Sequence, residues 1–504
     1  MVKISTVDII IIVFYLIIVA LIGSLSGGRQ KSTKDYFMGG KSVPWWAVSF
    51  SIVAAETSSL TFISIPGLAY ISNLNFLQLT IGYLIARILV AIFLLPSYRK
   101  GELVTAYSFL ENRFGQFTRR YASTVFLFTR VAADGVRLFS TAIPLALIFK
   151  STAYFSQYSN IEIYIVSIIL ITLVSLMYTY TGGVKGVIWA DVLQMVIYIG
   201  GAVLALIILI DHLPQNFSFA LLGEKTQIFN FDFGESIGEF FRKPYTFVAS
   251  LIGGIFLSMA SHGTDQLIVQ RLLTTKTLRD SQKAIIVSGV MVIFQFTLFL
   301  IVGLLLYVFF NGVSVGDLNA PFQKADEIFP FFIIQYLPSG IKGVIIAGLF
   351  AAAMSTLAGS ISSLSSSAML DLYKPFIAHK KDDPAHDLKV SRILTISWAI
   401  ILTFVAFLFI QVQQSVVEIA LGIASITYGG LLGTFLLGRF YPKIKEPAAI
   451  AGFTSGILAM LMIILIPKLA GLQPVFHWTW FVAFGSTVCI IVGNIWQKAF
   501  SRRQ

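Results

Sequence analysis

Small oxygen-bearing side chains cluster where the surrounding residues of this chain are apolar. Ser355 and Thr356 are adjacent, and Ala352 lies three residues before Ser355, about one helical turn away. A helix therefore brings both hydroxyls and the Ala352 carbonyl to one patch. A hard monovalent cation is held by about five or six such oxygens, and these would supply some of them without net charge. Packing between helices is the other common use of small hydroxyl residues, and the pattern alone leaves both interpretations open.

A second polar stretch, residues 51–67, combines a carboxylate with hydroxyl side chains and ends in Pro66 and Gly67. If this helix is unwound inside a membrane, its freed carbonyls can coordinate a cation and its half-helix ends can face a solute. The alternative is a Ser- and Thr-rich helix that only packs against its neighbours. Glu56 favours the unwound form, because a carboxylate within the membrane is costly and usually faces a cavity or a partner.

A third polar stretch, residues 253–271, is interrupted by glycines and contains Ser258, Ser261 and His262. Like residues 51–67, it is typical of a discontinuous helix. A packed histidine is the preferred interpretation of His262, and a proton relay is the alternative.

Charged residues also occur within an apolar stretch further along the chain. Arg130 and Asp134 are four residues apart, and Asp134 and Arg137 are three apart, so all three share one helix face. This spacing predicts a structural triad in which the charges neutralise one another. The alternative is that one arginine binds a solute anion. Asp191, near the start of another apolar stretch, is predicted to lie at the membrane interface or beside an ion site.

The elements that must position these residues are membrane-spanning helices. Of 504 residues, 57% are hydrophobic and 12% are charged, and the mean hydropathy is +0.84. These values, with repeated apolar stretches of about 20 residues, predict an all-α polytopic membrane protein. The single cysteine, Cys489, and five scattered histidines exclude disulfides and zinc or iron–sulfur sites. The sequence has no nucleotide-binding or catalytic motif, which argues against an enzyme.

We predict thirteen spans, with boundaries uncertain by several residues: 7–24, 44–70, 74–97, 121–148, 161–181, 186–210, 245–270, 285–310, 338–369, 391–411, 417–438, 447–467 and 477–497. Alternating loops then place 25 of the 36 Lys and Arg residues on one side and 7 on the other. This asymmetry predicts that the N-terminus faces out and the C-terminus faces the cytoplasm. It also explains the net charge of +12 without nucleic acid. A signal peptide is the alternative to the first span, and Asp8 disfavours it.

The two glycine- or proline-interrupted spans, the second and the seventh, are five spans apart. Discontinuous helices at matching positions predict an inverted repeat of five helices. The chain, 1–504, is then one transmembrane domain with repeats at 44–210 and 245–438. Residues 7–24 and 447–497 form peripheral spans.

Several motifs make the chain resemble the sodium:solute symporter family over nearly its whole length. They lie at residues 35–41, 45–46, 56–61, 179–191, 265–271, 350–355 and 371–373. The resemblance implies a LeuT-like fold and sodium-driven uptake by alternating access. It also places the family's common sodium site on the carbonyls of Ala54, Thr57 and Ala352 and the hydroxyls of Ser355 and Thr356.

The resemblance also suggests a sodium stoichiometry. Members that bind a second sodium resemble this chain at Asp191, but they carry hydroxyl residues where Ala358 and Gly359 stand here. One sodium per cycle is therefore expected.

The same resemblance suggests solute-binding residues: Glu56, Ser58, Thr61, Phe76, Ser258, Ser261 and His262. Sugar-transporting members carry amides at the positions of Glu56 and Thr61, and an aromatic gate at those of Ser261 and His262. The sialic-acid type has an arginine at the position of Ala133, although Ser58, Thr61 and Phe76 resemble its pocket. Glu56 would favour a cationic or hydroxyl-rich solute, Arg137 an anion, and the two together a zwitterion.

The prediction is thus a monomeric, multi-pass transporter of the cell membrane, embedded in the lipid bilayer. It imports a small polar solute, such as a sugar, amino acid, carboxylate or vitamin-like molecule, with Na⁺. The alternatives are proton coupling through Glu56 and His262, and a solute sensor that transports nothing.

Overall fold

In the computed structural model, helices dominate the described residues, which are 4–100, 103–150, 154–155, 157–215, 217–317, 320–377, 383–410 and 416–501. The long or functionally important helices are α1 Thr6–Ser26, α2 Trp45–Glu56, α3 Ser59–Ile71, α4 Leu77–Leu89, α5 Gln116–Lys150, α6 Asn160–Asp211, α7 Phe247–Gly263, α8 Gln266–Leu273, α9 Leu278–Phe309, α10 Ile341–Ser367, α11 Pro384–Leu408, α12 Val416–Phe440, α13 Glu446–Leu469 and α14 Phe481–Ser501.

Shorter helices connect these elements. Two π-helical turns, Val90–Leu94 and Ala368–Tyr373, continue α4 and α10 into Leu95–Lys100 and Lys374–Ile377. The other short α-helices are Thr33–Met38, Ser108–Arg113, Ile237–Arg242 and Ala325–Tyr336, and the 3₁₀ segments are Gly39–Lys41, Phe219–Thr226 and Trp478–Trp480. The predicted all-α class is confirmed.

Nine helices in the described part of the chain are long and apolar enough to cross a membrane, or up to eleven if each of two bent pairs is one span. The predicted thirteen spans also count α5, which carries several charges, and treat α6 as two crossings. That count and the orientation of the termini stay predictions. Residue 411, the predicted end of the tenth span, lies outside the described residues.

The length of α6 explains why it must bend. Its 52 residues would extend about 78 Å at about 1.5 Å each, far beyond the ~30 Å hydrocarbon core. The chain turns at Gly183, whose φ of 57° and ψ of −159° lie outside the helical region and favour glycine. A capping box of Ser159 and Glu162 fixes the start of the helix.

Helix α10 lies at the centre of the molecule. Every residue from Ile345 to Ser367 is buried, and the helix packs against α6, α1, α5 and α11. By contrast, α1 exposes apolar side chains such as Ile10 and Phe14, which are 61% and 63% exposed. Such a contrast is expected when a central helix is enclosed by protein and a peripheral helix faces lipid.

The two predicted discontinuous spans are both broken. Between Trp45–Glu56 and Thr61–Ile71 the helix direction changes by 64°, and between α7 and α8 it changes by 59°. Thr57 and Ser58 are extended at the first break, and Asp265 is extended at the second. Both breaks lie beside α10 or the cavity next to it, so they bring non-helical backbone to the centre of the protein.

Candidate functional site

A very small cavity lies between α2, α6 and α10. Its volume of about 10 Å³ is close to the space that one water-sized sphere needs. The lining residues are Ala54, Thr57, Gln194, Met195, Tyr198, Ala351, Ala352 and Ser355. Four of the five predicted sodium ligands are therefore brought together around one ion-sized space.

The first helix break leaves carbonyl oxygens at this cavity. Among the backbone hydrogen bonds of the described residues, Thr57 donates to Val53 and Phe62 donates to Ser58 across the break. The amides of Ser58 and Thr61 do not donate to the carbonyls of Ala54 and Thr57, as they would in a continuous helix. These two carbonyls thus keep lone pairs for another ligand.

The hydroxyls of α10 complete the set. Thr356 is not among the lining residues, but its Oγ1 donates to the Ala352 carbonyl at 3.1 Å, so these two oxygens are adjacent. Ser355 Oγ donates to Asp191 Oδ1 at 2.6 Å. A hydroxyl that donates its proton in this way still has lone pairs for a cation.

Gln194 is a residue of this cavity that was absent from the sequence prediction. It is 1% exposed, and among the described residues neither its Oε1 nor its Nε2 makes a hydrogen bond of normal geometry, although the hydroxyls of Tyr15 and Tyr178 lie near the amide. A buried amide with such poor pairing is costly unless something occupies the space beside it. The only local signal was its position three residues after Asp191, which places both on one face of α6.

Asp191 lies one hydrogen bond away from the cavity and is fully buried. Its Oδ2 accepts from Ser51 and from Arg271 Nη2, the latter at 3.1 Å. Arg271 in turn lies against Gly359, where an added Cβ would be 2.6 Å from Nη2. A guanidinium therefore fills the space beside Asp191 and Gly359.

A second, much larger cavity of about 470 Å³ adjoins the first helix break, within the usual size range of small-molecule sites. All seven residues proposed for the solute line it: Glu56, Ser58, Thr61, Phe76, Ser258, Ser261 and His262. Other lining residues were missed, notably Tyr83, Tyr245, Phe296, Ser425, Tyr428 and Trp478. They come from distant parts of the chain, so no local pattern marks them.

The carboxylate of Glu56 has a partner that the sequence did not reveal. Arg87, whose side chain is fully buried, forms an ion pair with it and donates from Nη1 to Ser288 Oγ at 2.8 Å. His262 Nε2 lies 3.5 Å from the same carboxylate. Because Arg87 already neutralises its charge, Glu56 is not an unpaired anion that would bind a cationic solute.

The predicted Arg130, Asp134 and Arg137 triad is brought together on α5, and it extends further than expected. Arg130 lies 3.2 Å from Asp134 and 2.7 Å from Asp265, a carboxylate at the second helix break. Arg137 lies 3.6 Å from Asp134, and its side chain remains 25% exposed. Both arginines line the large cavity, but only Arg137 is loosely held.

The residues that line the large cavity differ in exposure. Asp326 is exposed and Ile71 is 54% exposed, whereas Ile268 and Tyr428 are buried. In the neighbouring helices, Gln266 Nε2 donates to Ser366 at 2.8 Å and Arg119 pairs with Asp371 at 2.7 Å, so α8 and α5 are both tied to the segment formed by α10 and its π-helical extension.

Comparisons with known proteins agree with this architecture. The profile of the sodium:solute symporter family matches residues 36–456. The sodium/sialic acid symporter SiaT of Proteus mirabilis is 30% identical over 89% of this chain and 87% of its own length. The sodium/glucose cotransporter of Vibrio parahaemolyticus is 28% identical, over 92% and 86%. A solved Na⁺-coupled sialic acid symporter, in a substrate-bound outward-open state with a novel Na⁺ site, has a TM-score of 0.83 at 27% identity and covers 98% of both chains.

Proposed function

The chain belongs to the sodium:solute symporter family, and from that premise we propose how this sodium-coupled membrane transporter binds its ion and its solute. It is a multi-pass protein of the cell membrane and not an enzyme. Our proposal is that one Na⁺ enters the small cavity while a small solute with a carboxylate enters the large one. The observation that carries the proposal is the ion-sized cavity at the first break, which Ala54 and Thr57 line from one helix and Ala352 and Ser355 from another.

The sodium ligands we propose are the carbonyls of Ala54, Thr57 and Ala352 and the hydroxyls of Ser355 and Thr356. Support comes from the carbonyls of Ala54 and Thr57, which do not accept from the Ser58 and Thr61 amides, and from the small size of the cavity. The amide oxygen of Gln194 is a candidate sixth ligand, because it lines the cavity, is buried and makes no hydrogen bond of normal geometry within the described residues. Bound sodium would hold α2 against α10 and so stabilise one of the two conformations, outward-facing or inward-facing, relative to the other.

We propose a stoichiometry of one sodium per cycle. Beside Asp191, the guanidinium of Arg271 already supplies a positive charge, and neither Ala358 nor Gly359 offers a side-chain oxygen. A sodium activation curve of uptake should therefore have a Hill coefficient near one, as expected for a single site. A coefficient near two would overturn this stoichiometry.

For the solute, we propose a small organic anion that carries a carboxylate. Arg137 is the anchor, because it faces the cavity, is partly exposed and has a single carboxylate at 3.6 Å. Ser58 and Thr61 lie on the same wall and, within the described residues, no side-chain hydrogen bond occupies their hydroxyls. Apolar residues such as Phe76 and Phe296 line the remaining surface.

The organisation of the chain completes the proposal. We propose that 44–210 and 245–438 are inverted repeats, supported by the similar bends near the start of each. We also propose that the N-terminus faces out, and that the transporter works as a monomer because one chain lines both cavities. The mass of the protein in a nanodisc would test the last point.

The experiment that tests the function has two stages. Purified protein is screened by thermal shift against carboxylates, sugars, amino acids and vitamins, in sodium and in choline. Hits are then followed as uptake into proteoliposomes under a sodium gradient or a pH gradient. We expect stabilisation by a carboxylate only in sodium, and accumulation only with the sodium gradient. Uptake driven by pH without sodium, or binding without accumulation, would contradict the proposal.

A further inference from the structure

A hydrogen bond between Ser360 and Asp134 joins α10, close to the proposed sodium site, to the α5 wall of the solute cavity. Ser360 lies one turn beyond Thr356 on α10 and is fully buried. Its Oγ is 2.5 Å from Asp134 Oδ2 on α5 and 2.9 Å from the Thr356 carbonyl. Since a hydroxyl carries one proton, the carboxylate and the carbonyl compete for it.

Asp134 connects Ser360 to two arginines that line the solute cavity. Its side chain is 1% exposed and serves two guanidinium groups, those of Arg130 and Arg137. Arg130 is also held by Asp265 and by Tyr428, so it is fixed independently. Among the ion pairs and side-chain hydrogen bonds of the described residues, the Arg137 guanidinium makes only the pair with Asp134, at 3.6 Å, with the Tyr428 hydroxyl as a further polar neighbour. The position of Asp134 therefore controls the restraint on Arg137 much more than that on Arg130.

The other polar ties between α5 and the α10 segment lie further from the proposed ion. Ser123 bonds Ser367 at 2.8 Å, and Arg119 bonds Asp371 at 2.7 Å, both at least seven residues beyond Ser360. Between the described residues of the two helices, Ser360 thus makes the polar contact nearest to Thr356. A shift of α10 at the ion site would reach α5 there first.

We propose that Ser360 and Asp134 are positioning residues that couple sodium occupancy to the charge Arg137 presents in the solute cavity. Neither touches the ion or the solute. Sodium on Ser355 and Thr356 fixes α10, the Ser360 hydroxyl holds Asp134, and Asp134 sets the restraint on Arg137. This inference rests on the sodium site proposed above. It requires that the Ser360–Asp134 contact and the Asp134–Arg137 contact both differ between the ion-free and ion-bound states.

The test measures the electrostatic field in the cavity directly, with sodium as the only ligand. Cys489 is the single cysteine of the chain and is buried, so Cys489→Ser provides a cysteine-free background. Leu68→Cys then places a reporter on the cavity wall, at a half-buried position. Negatively and positively charged methanethiosulfonate reagents are compared, and the ratio of their reaction rates is measured in sodium and in choline at equal ionic strength.

In the reporter background we expect sodium to change this rate ratio by about fivefold, the lower end of typical coupling between two sites. Ser360→Ala should lose most of that change, and Ser360→Thr, which keeps a hydroxyl, should retain it. The matched control is Ser365→Ala, since Ser365 is equally buried on α10 and its one hydroxyl bond within the described residues is to the Ile361 carbonyl of its own helix. The direct field of the bound ion is common to all variants and cancels in the comparison.

Sodium affinity is measured in parallel, as the concentration dependence of thermal stabilisation. Ser360→Ala should keep it within about threefold of the background, because the residue is not a ligand. The inference is overturned if Ser360→Ala keeps the whole rate change, if Ser365→Ala loses it equally, or if sodium changes nothing in the background. Absence of any sodium stabilisation in the background identifies a different failure, that of the sodium site itself.

Discussion

The two broken helices place non-helical backbone near the centre of the molecule, but the surroundings of the two breaks differ. At the first break the carbonyls of Ala54 and Thr57 lack the amide that a continuous helix would supply, and both residues line an ion-sized cavity. At the second, Asp265 accepts from the Leu267 amide at 2.8 Å, and Tyr98 donates to the Gly263 carbonyl. The first break therefore lies beside a space that a cation could enter, whereas at the second the Asp265 carboxylate and the Gly263 carbonyl are bound within the protein.

The carboxylates near the two breaks also differ in how deeply they are buried and how many partners they have. Glu56, at the first break, is compensated by one arginine and remains partly exposed to the large cavity. Asp265, at the second, is fully buried and accepts from both Arg130 and Tyr428, each at 2.7 Å. The comparison teaches that a buried carboxylate paired with neighbouring side chains makes a helix break a structural joint, whereas carbonyls beside an ion-sized cavity make it a candidate binding site.

The strongest way to break this comparison is to remove the carboxylate at the second break. Asp265→Ala leaves Arg130 and Tyr428 without their shared acceptor, and breaking a buried pair costs about 3–5 kcal/mol. We expect the loss of unfolding free energy to be similar in sodium and in choline, measured by denaturant unfolding in detergent micelles. Asp265→Asn, which keeps an acceptor for Tyr428, is the control and should lose less. A loss confined to sodium would assign Asp265 to the ion instead.

At the first break, the largest expected effect is on ion affinity and not on stability. Ser355→Ala and Thr356→Ala each remove one neutral oxygen next to a cation, worth about 1.5 kcal/mol, so half-maximal sodium should rise about tenfold. The measurement is sodium-dependent thermal stabilisation, with choline as the reference. Ser363→Ala is the matched control, because in the part of the chain that the structure describes this buried hydroxyl bonds only the Ser360 carbonyl of the same helix. Unchanged sodium dependence in both variants would remove these ligands from the site.

Replacing Gln194 should have two smaller effects: sodium binding becomes weaker, but stability without sodium does not fall. Gln194→Leu should raise half-maximal sodium about fivefold, as the loss of one oxygen worth about 1 kcal/mol implies. In choline the same variant should be at least as stable as the parent, because it removes a buried amide that makes no hydrogen bond of normal geometry among the described residues and only lies near the hydroxyls of Tyr15 and Tyr178. Thermal stability in the two salts measures both signs in one experiment. Destabilisation in choline with unaltered sodium binding would make Gln194 a packing residue only.

The smallest expected effect lies at the second break. The hydroxyl of Thr264 bonds the Ala260 carbonyl of its own helix at 2.8 Å, so it should not bind sodium. Thr264→Val should leave half-maximal sodium within about twofold of the parent, and any stability change should stay near the ~1 kcal/mol of one hydrogen bond. The readout is again sodium-dependent thermal stabilisation. A tenfold rise in half-maximal sodium would give both breaks the same role.

The sequence alone determined the fold class, because apolar stretches of about 20 residues with so few charges can only be satisfied as helices in a membrane. It also located both breaks, since hydroxyls, glycines and a carboxylate are unfavourable in a continuous lipid-facing helix. The hydroxyls of Ser355 and Thr356 were found for the same reason. These features depend on residues that are close together in the chain, so local sequence patterns can predict them.

Only the tertiary structure decided which polar groups are paired. Glu56 and Arg87 are 31 residues apart and Arg130 and Asp265 are 135 apart, so no periodicity connects either pair. The same is true of Gln194, whose poorly paired amide is defined by the helices that surround it and not by its neighbours in the chain. A buried charge or amide acts through its partners, and packing between distant helices alone determines which partners are present and which are missing.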